Sequence, residues 1–234
     1  MTKISAFTGI NRTFAPPLDN IPKLILIDRD GVINEDVGAP GVIKSSQLKL
    51  TPGAGVALGR LKRAGCKLAL VTNQSCVGKG LLTEDELVRD IHGTLNHLLI
   101  SEDFHAKLDH IFYCTSLRNS GDTRMKPNPG MIEEACDMFR VNPSDSIMIG
   151  DAVRDLQAAA AAGVPHRVLV ESGYGKGVMN GRDAPVDGSL EIIDSEYVKN
   201  CKANNIAGTE HMDGSVLPFL YAKNLYCAVE WILH

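Results

Sequence analysis

Two aspartates stand one residue apart in the stretch DRDGVIN, residues 28 to 34, directly after the apolar run LILI. Asp28 and Asp30 are followed by Gly31, which lets the chain turn sharply because glycine has no side chain. Two carboxylates this close repel each other when both are charged, unless a cation compensates them. The pattern therefore predicts a site for a hard cation at the end of a buried strand.

More polar side chains follow other apolar runs of the chain. Thr72 and Asn73 end the run KLALVTN, Asp151 follows SIMIG, and Asp155 comes one helical turn later. Lys126 lies in the loop RMKPNPGM ahead of a helix. Together these residues offer carboxylates for a hard cation, an amine, and hydroxyl or amide donors for phosphate oxygens. Metal-assisted phosphoryl transfer requires this set of groups.

Five short apolar runs alternate with segments of helical pattern, which indicates an α/β fold with a doubly wound parallel sheet. Runs without polar alternation are typical of strands that are buried on both faces. Ligands of such sheets bind beyond the carboxyl ends of the strands, where the polar groups are expected. A capping box of Thr83 and Glu86 precedes a helix. Its apolar stripe is Leu87, Ile91, Leu95 and Leu98. The predicted strands are 23–28, 67–72, 110–114, 146–150 and 166–170.

The composition limits the classes of function. The length of 234 residues suits one large domain, or one domain with an elaborated tail. The net charge of −4 argues against a broad nucleic-acid footprint or a polybasic membrane anchor, but allows a small cationic pocket. The chain shows no apolar run near the ~20 residues that span a bilayer, no secretory h-region and no CxxC spacing. We therefore expect a soluble, reduced, cytoplasmic protein without a membrane partner.

Two other binding motifs do not fit these stretches. An EF-hand loop needs glycine at its sixth position and glutamate at its twelfth, whereas here glycine comes fourth and Ala39 is twelfth. A P-loop would need glycine and Ser or Thr at the positions of Asn73 and Gly80. Asp151 and Asp155, taken alone, are equally consistent with capping of a helix N-terminus. Their occurrence together with DRDG favours the metal site.

The stretches DRDGVIN, VTNQS, KPNPGM and IGDAVRD resemble, in order and spacing, the four motifs of the haloacid dehalogenase superfamily of phosphatases. TNQS with GKGLLTEDE, and KPNPGM with GDAVRDLQAA, resemble the branch that contains histidinol-phosphate phosphatase and heptose-bisphosphate phosphatase. The resemblance covers about residues 23 to 172 and implies a Rossmann-like core. The gaps between motifs are too short for a separate cap domain. We expect an N-terminal extension (1–22), this core (23–172) and a C-terminal extension (173–234) that packs on the core and is largely irregular.

The resemblance implies how the carboxylates act. Asp28 would be the nucleophile that takes up the phosphoryl group as an aspartyl phosphate. Asp30 would protonate the leaving oxygen and then activate the water that splits the intermediate. Mg²⁺ would be bound by Asp28, the Asp30 main-chain carbonyl and Asp151, while Asp155 orients metal-bound water.

The resemblance also implies how the phosphate is held. Thr72 and the Asn73 amide would bind phosphate oxygens, and Lys126 would offset the charge on the transferring group. Gly31 would let the backbone turn so that its neighbours face the phosphate. Three further residues are equally consistent with substrate contacts and with surface positions: Asn34, Arg29 and Arg154.

The sequence departs from those relatives in the loop before Lys126. In that branch the loop carries cysteines and a histidine that bind a structural zinc, whereas YCTSLRNSGDTRMKPNPGM keeps only Cys114. One thiolate cannot form a tetrahedral zinc site, so we expect no structural zinc. Met125 stands where those relatives place an arginine used for substrate contact, and Arg124 is the candidate to replace it.

The expected activity is Mg²⁺-dependent hydrolysis of a phosphomonoester, with a small sugar phosphate or histidinol phosphate as substrate. A nucleic-acid 3′-phosphatase of the same superfamily is the alternative, because that family shares the TNQ motif and an open site admits polymer ends. The excess of acidic over basic residues argues against a nucleic-acid 3′-phosphatase, and so does the lack of a basic, aromatic-rich stretch for binding a strand. An alternative from another class is a protein that binds phosphate ligands without catalysis. The residues of the four motifs argue against this alternative. The sequence leaves the oligomeric state open.

Overall fold

The computed structural model describes residues 11–204, 206, 209 and 211–234. The strands are β1 (Leu24–Ile27), β2 (Lys67–Asn73), β3 (His110–Cys114), β4 (Ser146–Gly150), β5 (His166–Val170), β6 (Glu191–Ile193) and β7 (Phe219–Ala222). In this described part they form one sheet in the order β3-β2-β1-β4-β5-β7-β6. All pairs are parallel except β6 with β7. The order places β1 and β4 side by side at the centre, where the chain reverses its winding.

Helices cover both faces of this sheet. They are α1 (Ala54–Arg63), α2 (Ser75–Gly78), α3 (Glu84–Glu86), α4 (Gly93–Glu102), α5 (Gly130–Phe139), α6 (Val153–Ala161), α7 (Gly175–Val178), α8 (Ser195–Ala203) and α9 (Leu225–Ile232). Ile25 and Ile27 pack in one apolar cluster with α1, α4 and α9, whereas Leu24 and Leu26 pack in another with α5 and α6. Both faces of β1 are therefore buried, which confirms the predicted doubly wound α/β fold. No helix of the described residues has the length and apolar character needed to cross a membrane.

The predicted strands agree with the structure to within one residue at each end. The capping box is also present, because Thr83 Oγ1 accepts from the Glu86 amide at 3.2 Å and the Glu86 carboxylate accepts from the Thr83 amide at 2.7 Å. The apolar stripe differs at its end. A π-helical turn over Leu87–His92 spaces the buried residues four apart, so that Leu99 is buried and Leu98 is half-buried.

The C-terminal part differs from the sequence prediction. We expected it to be largely irregular, but it supplies β6, β7, α8 and α9. β7 pairs in parallel with β5, with Val168 opposite Leu220, and thus extends the central sheet. α9 buries Trp231, whose Nε1 donates to the Pro16 carbonyl at 3.1 Å. The four-residue run FLYA forms a strand because it pairs with the edge of β5. A run this short shows no hydrophobic periodicity, so its sequence did not predict a strand. The predicted domain boundaries stay predictions, and residues 1–10 lie outside the described part.

Candidate active site

Three carboxylates meet at the carboxyl ends of the two central strands. Asp28 follows β1 and Asp151 follows β4, while Asp155 lies in the first turn of α6. The strands are in register, and the Asp28 amide donates to the Ile149 carbonyl at 3.0 Å. One carboxylate oxygen from each of the three aspartates lies within 4.8 Å of the others, and all three side chains are buried. The predicted metal ligands from distant motifs are therefore brought together.

Asp155 has two functions in this arrangement. One of its oxygens, Oδ2, accepts from the Ala152 amide at 3.0 Å and so caps α6. The other, Oδ1, lies 2.7 Å from Nζ of Lys126. The capping alternative is therefore correct for Asp155, whereas its contribution to a metal site stays a prediction that the position of Oδ1 allows. Asp151 does not cap the helix; its Oδ2 accepts from the Tyr174 amide at 2.9 Å.

Lys126 is buried at the centre of the site rather than solvated. Its Nζ lies 2.9 Å from Oδ1 of Asp28 and donates to the Val71 carbonyl at 2.7 Å. Burial by itself lowers the pKa of Lys126, but the charges of Asp155 and Asp28 raise it above the ordinary value. The ammonium group therefore stays charged and lies against the candidate nucleophile.

The side chain of Asn73 holds the loop that carries Lys126. Its Nδ2 donates to the Lys126 carbonyl at 2.9 Å, and its Oδ1 accepts from the Lys126 amide at 3.0 Å. This two-point contact uses both polar atoms of the Asn73 side chain. The Asn73 side chain therefore positions the lysine loop. A phosphate contact from Asn73 would come from its main-chain amide.

The carboxylate cluster is short of positive charge. Burial raises the pKa of Asp28, and Lys126 only partly offsets this effect. Burial, together with the charges of Asp28 and Asp155, raises the pKa of Asp151 to about 8. Oδ1 of Asp151 is also buried without a hydrogen-bond partner. Three carboxylates around one ammonium group, with one oxygen unpaired, fit a hard divalent cation with oxygen ligands.

Asp30 lies beside this cluster in a different environment. Arg29 Nη2 donates to its Oδ2 at 2.8 Å, Asn34 Nδ2 to its Oδ1 at 3.0 Å and Gln74 Nε2 to its Oδ2 at 3.2 Å. Burial would raise the pKa of Asp30, but the Arg29 charge and these hydrogen bonds lower it. Asp30 is therefore held ionised. Thr72 joins the same network, since its Oγ1 accepts from Gln74 Nε2 at 2.9 Å.

Two predicted substrate contacts do not fit their positions. Asn34 has no exposed surface, and its amide is used by Asp30 and by the Glu35 carbonyl. Arg124 pairs with Glu134 on the outside of α5, at 2.8 Å, rather than lining the cleft. Arg29 is fully buried, so the surface position that we considered for it is wrong as well.

Gly31 and the loop after β5 close around Asp151. A Cβ atom on Gly31 would lie 2.2 Å from Asp151 Oδ2, and one on Gly173 would lie 2.0 Å from the same atom. Both glycines have positive φ, +80° and +61°. Gly173 and Tyr174 were missed by the sequence analysis. Their signal was the turn SGYG, which begins two residues after the end of a predicted strand. All parallel strands end at the same edge of the sheet, so this turn had to lie near the other site residues.

An open cleft of about 760 Å³ lies above these groups. Its lining includes Arg154, whose guanidinium lies 5.8 Å from the centre of the Tyr174 ring. Lys79 and Arg118 line the same cleft. Among the described residues no separate domain covers it, in agreement with the predicted absence of a cap. The cleft wall thus carries three cations outside the carboxylate cluster, beside the carboxylates of Asp36 and Asp122.

The loop before Lys126 is held by hydrogen bonds around Asp122. Ser116 Oγ donates to Asp122 Oδ2 at 2.5 Å, and the Cys114 thiol lies 3.4 Å from the same oxygen. The Arg124 amide donates to Asp122 Oδ1 at 2.8 Å. These contacts give the loop a polar centre around Asp122, in which Cys114 is one of several partners. The expectation that no zinc binds here stays a prediction.

Similar proteins agree with this geometry. A D-glycero-beta-D-manno-heptose-1,7-bisphosphate 7-phosphatase of Haemophilus influenzae is 36% identical over 158 residues, which are 64% of this chain and 83% of that protein. The protein of the same description from Escherichia coli (strain K12) is 36% identical over 157 residues, 64% of this chain and 79% of that protein.

A solved structure extends the similarity to most of the chain. The D,D-heptose 1.7-bisphosphate phosphatase of B. bronchiseptica, complexed with magnesium and phosphate, has a TM-score of 0.71 and 26% identity. The alignment covers 90% of this chain and 98% of that one. The model of the haloacid dehalogenase-like hydrolase family matches residues 40–163. This chain therefore belongs to the haloacid dehalogenase-like hydrolases, and it is a phosphatase that hydrolyses phosphoric monoesters.

Proposed function

We propose that this phosphatase acts through an aspartyl-phosphate intermediate on Asp28, with Mg²⁺ as cofactor and a heptose bisphosphate as substrate. The observation that carries the proposal is the buried Asp28 carboxylate, which lies 2.9 Å from the Lys126 ammonium beside two further carboxylates. An anionic nucleophile can approach an anionic phosphate only where fixed positive charge offsets their repulsion.

In this proposal Asp28, Asp151 and the Asp30 main-chain carbonyl hold the cation, with Asp155 beside them. When bound, Mg²⁺ supplies charge stabilisation to the phosphoryl oxygens. Lys126 stays charged, orients Oδ1 of Asp28 and neutralises part of the charge that develops during transfer. The chain thus supplies one fixed positive charge, the Lys126 ammonium, and the oxygen ligands for a second cation, Mg²⁺.

Asp30 supplies the proton transfers. Its carboxylate is ionised while Arg29, Asn34 and Gln74 hold it, which suits the base that activates water. To act as the acid in the first step it must carry a proton. Rotation away from Arg29 toward the bound phosphate dianion would raise its pKa and favour that protonation. Arg29 and Asn34 are then positioning residues for both steps.

The substrate assignment rests on the relatives and on the cleft. Both curated relatives are named as heptose bisphosphate 7-phosphatases. The cations Arg154, Lys79 and Arg118 line the cleft, where a second phosphate of a bisphosphate would need a partner. This chain has Met125 in place of the arginine expected from the resemblance, and Arg124 faces away, so any cation for the second phosphate comes from another element.

A released-phosphate assay tests the proposal. The purified protein should hydrolyse D-glycero-beta-D-manno-heptose 1,7-bisphosphate with Mg²⁺ and lose this activity with a chelator. Asp28→Asn should abolish turnover, while Asp137→Asn, an exposed aspartate on α5, should leave it unchanged. Turnover by Asp28→Asn at the wild-type rate would exclude Asp28 as nucleophile.

The same assay separates the alternatives. Histidinol phosphate and a 3′-phosphorylated oligonucleotide are tested beside the heptose bisphosphate at equal concentration. A preference of kcat/KM for the oligonucleotide would favour a nucleic-acid 3′-phosphatase, and one for histidinol phosphate would replace the sugar. If wild type hydrolyses no phosphate ester, including p-nitrophenyl phosphate, the result would favour the alternative of a phosphate-binding protein without catalysis.

A further inference from the structure

A second groove lies at the edge of the sheet opposite to the active site. It has a volume of about 970 Å³ and is lined by residues next to the amino-terminal ends of β1, β4, β5 and β7. The catalytic groups follow the carboxyl ends of the same layer of strands. β5 has 5 residues at about 3.3 Å each, so about 16 Å of strand separates the two edges. The groove is therefore distinct from the cleft above Asp28.

A buried arginine lines this groove. Arg167, the second residue of β5, is only 8% exposed. Its Nη1 donates to the carbonyls of Val164 and Pro165 at 2.7 and 3.4 Å, and its Nη2 donates to the Pro218 carbonyl at 2.8 Å. Its Nε is buried and has no hydrogen-bond partner in the described part of the chain.

The charge of this arginine has no counter-ion among the residues that the structure describes. Burial alone lowers the pKa of Arg167, and no carboxylate of the described residues opposes that effect. Carbonyl oxygens satisfy hydrogen bonds, but they do not neutralise a guanidinium charge. A buried cation without a counter-ion is costly, and an anion against the guanidinium offsets that cost.

The remaining walls are largely apolar. Trp231 is 8% exposed, and the ring of His166 lies 6.5 Å from its centre. Burial and the neighbouring Arg167 lower the pKa of His166, so its ring is neutral at neutral pH. Prolines and aliphatic side chains complete the lining: Pro16, Pro17, Leu18, Ile21, Pro22 and Pro165. A concave apolar surface with a few polar groups is typical of a small-molecule site.

We propose that this groove binds a small organic anion with an apolar body, such as an aromatic carboxylate. Its charged group lies against the Arg167 guanidinium and offsets its charge, and its apolar part packs near Trp231. The rim also carries Asp19 and Asp145, and Asp145 is paired with Lys23 at 2.8 Å. These rim carboxylates disfavour a highly charged ligand, so a monoanion fits the groove better than a bisphosphate.

Trp231 makes the proposal testable in the full chain, because it is the sole tryptophan of the sequence. Benzoate should change the Trp231 fluorescence saturably, whereas benzylamine, of similar size and opposite charge, should not. Arg167→Met should weaken benzoate binding by about tenfold or more, the effect of losing one charge-assisted contact. The matched control, Arg89→Met at an exposed position, should bind as wild type does.

Two comparisons would overturn the proposal. One is an equal response to benzoate and benzylamine, or a benzoate affinity that Arg167→Met leaves unchanged. The other is loss of the signal in Asp28→Asn or upon addition of Mg²⁺ and inorganic phosphate, which would place benzoate in the active site. If Arg167→Met does not fold, the comparison of benzoate with benzylamine on the wild-type protein still tests whether the groove selects an anion.

Discussion

The close approach of the β5 loop to Asp151 leads to a sharp prediction for Gly173→Ala. The new Cβ would lie 2.0 Å from Asp151 Oδ2 and 2.8 Å from the Gly31 Cα. Alanine must also adopt φ of +61° there, which costs about 1–2 kcal/mol for an L-residue. Because the Gly31 backbone blocks one side, the Asp151 carboxylate has to move by about 1.4 Å or more to reach an ordinary contact distance.

That displacement should affect catalysis more than folding. A misplacement of about 1 Å in a catalytic constellation costs about 100-fold in rate, and loss of a ligand's support costs about 10- to 100-fold in metal affinity. We therefore expect kcat to fall about 100-fold and the half-saturating Mg²⁺ concentration to rise at least about tenfold. The backbone cost should lower Tm by only about 2–4 °C per kcal/mol. Initial rates against Mg²⁺ concentration and a thermal scan measure all three quantities.

Gly177→Ala is the matched control, four residues further along the chain in α7. A Cβ atom there meets nothing within 4 Å, and its φ lies outside the left-handed region. This variant should keep the wild-type kcat and Mg²⁺ dependence. If Gly173→Ala also keeps both, the two glycines do not fix the position of Asp151 and our account of the metal ligand is refuted.

Three further outcomes follow from the charges of the site. Lys126→Met removes the buried ammonium that contacts two carboxylates, so kcat should fall by about 10²–10³-fold, and retention of a tenth of the activity would contradict this role. Since burial and neighbouring carboxylates raise the folded-state pKa of Asp151 to about 8, the folded metal-free protein binds a proton that the unfolded chain releases near pH 4. The Tm of the metal-free protein should therefore fall as pH rises between these two values. Calorimetry should show that Mg²⁺ binding releases a proton and becomes up to about tenfold tighter per pH unit. An Mg²⁺ affinity that does not depend on pH would contradict the raised pKa of Asp151. Arg154→Ala should raise KM for the heptose bisphosphate several-fold with kcat little changed, whereas Arg124→Ala should change neither; equal effects of the two would exclude a specific contact by Arg154.

The core strands and the motif carboxylates could be predicted because local sequence carries their signal. β1 is buried on both faces, so LILI is apolar throughout, and Asp28 follows it at the carboxyl end of the strand. The capping box at Thr83 is equally local. The meeting of Asp28 with Asp151 could be expected from a parallel sheet, since the carboxyl ends of β1 and β4 must lie at one edge.

Other features depend on partners that are distant in sequence. Asn34 and Arg124 have the chemistry of substrate contacts, but one is used by Asp30 and the other by Glu134 on a helix surface. β7 becomes a strand because β5 presents a free edge, and this pairing brings the C-terminal chain into the sheet.

The sequence by itself determined the fold class and, through the four motifs that resemble the superfamily, the phosphatase activity and the candidates for nucleophile, lysine and metal-binding carboxylates, because those motifs are local in the chain. Only the tertiary structure decided how these groups are charged and held. Burial and the neighbouring carboxylates set the raised pKa of Asp151, Arg29 keeps Asp30 ionised, and the β5 loop fixes Asp151 through Tyr174. Electrostatic energy depends on distance and on exclusion of water, and neither quantity exists until the chain has folded.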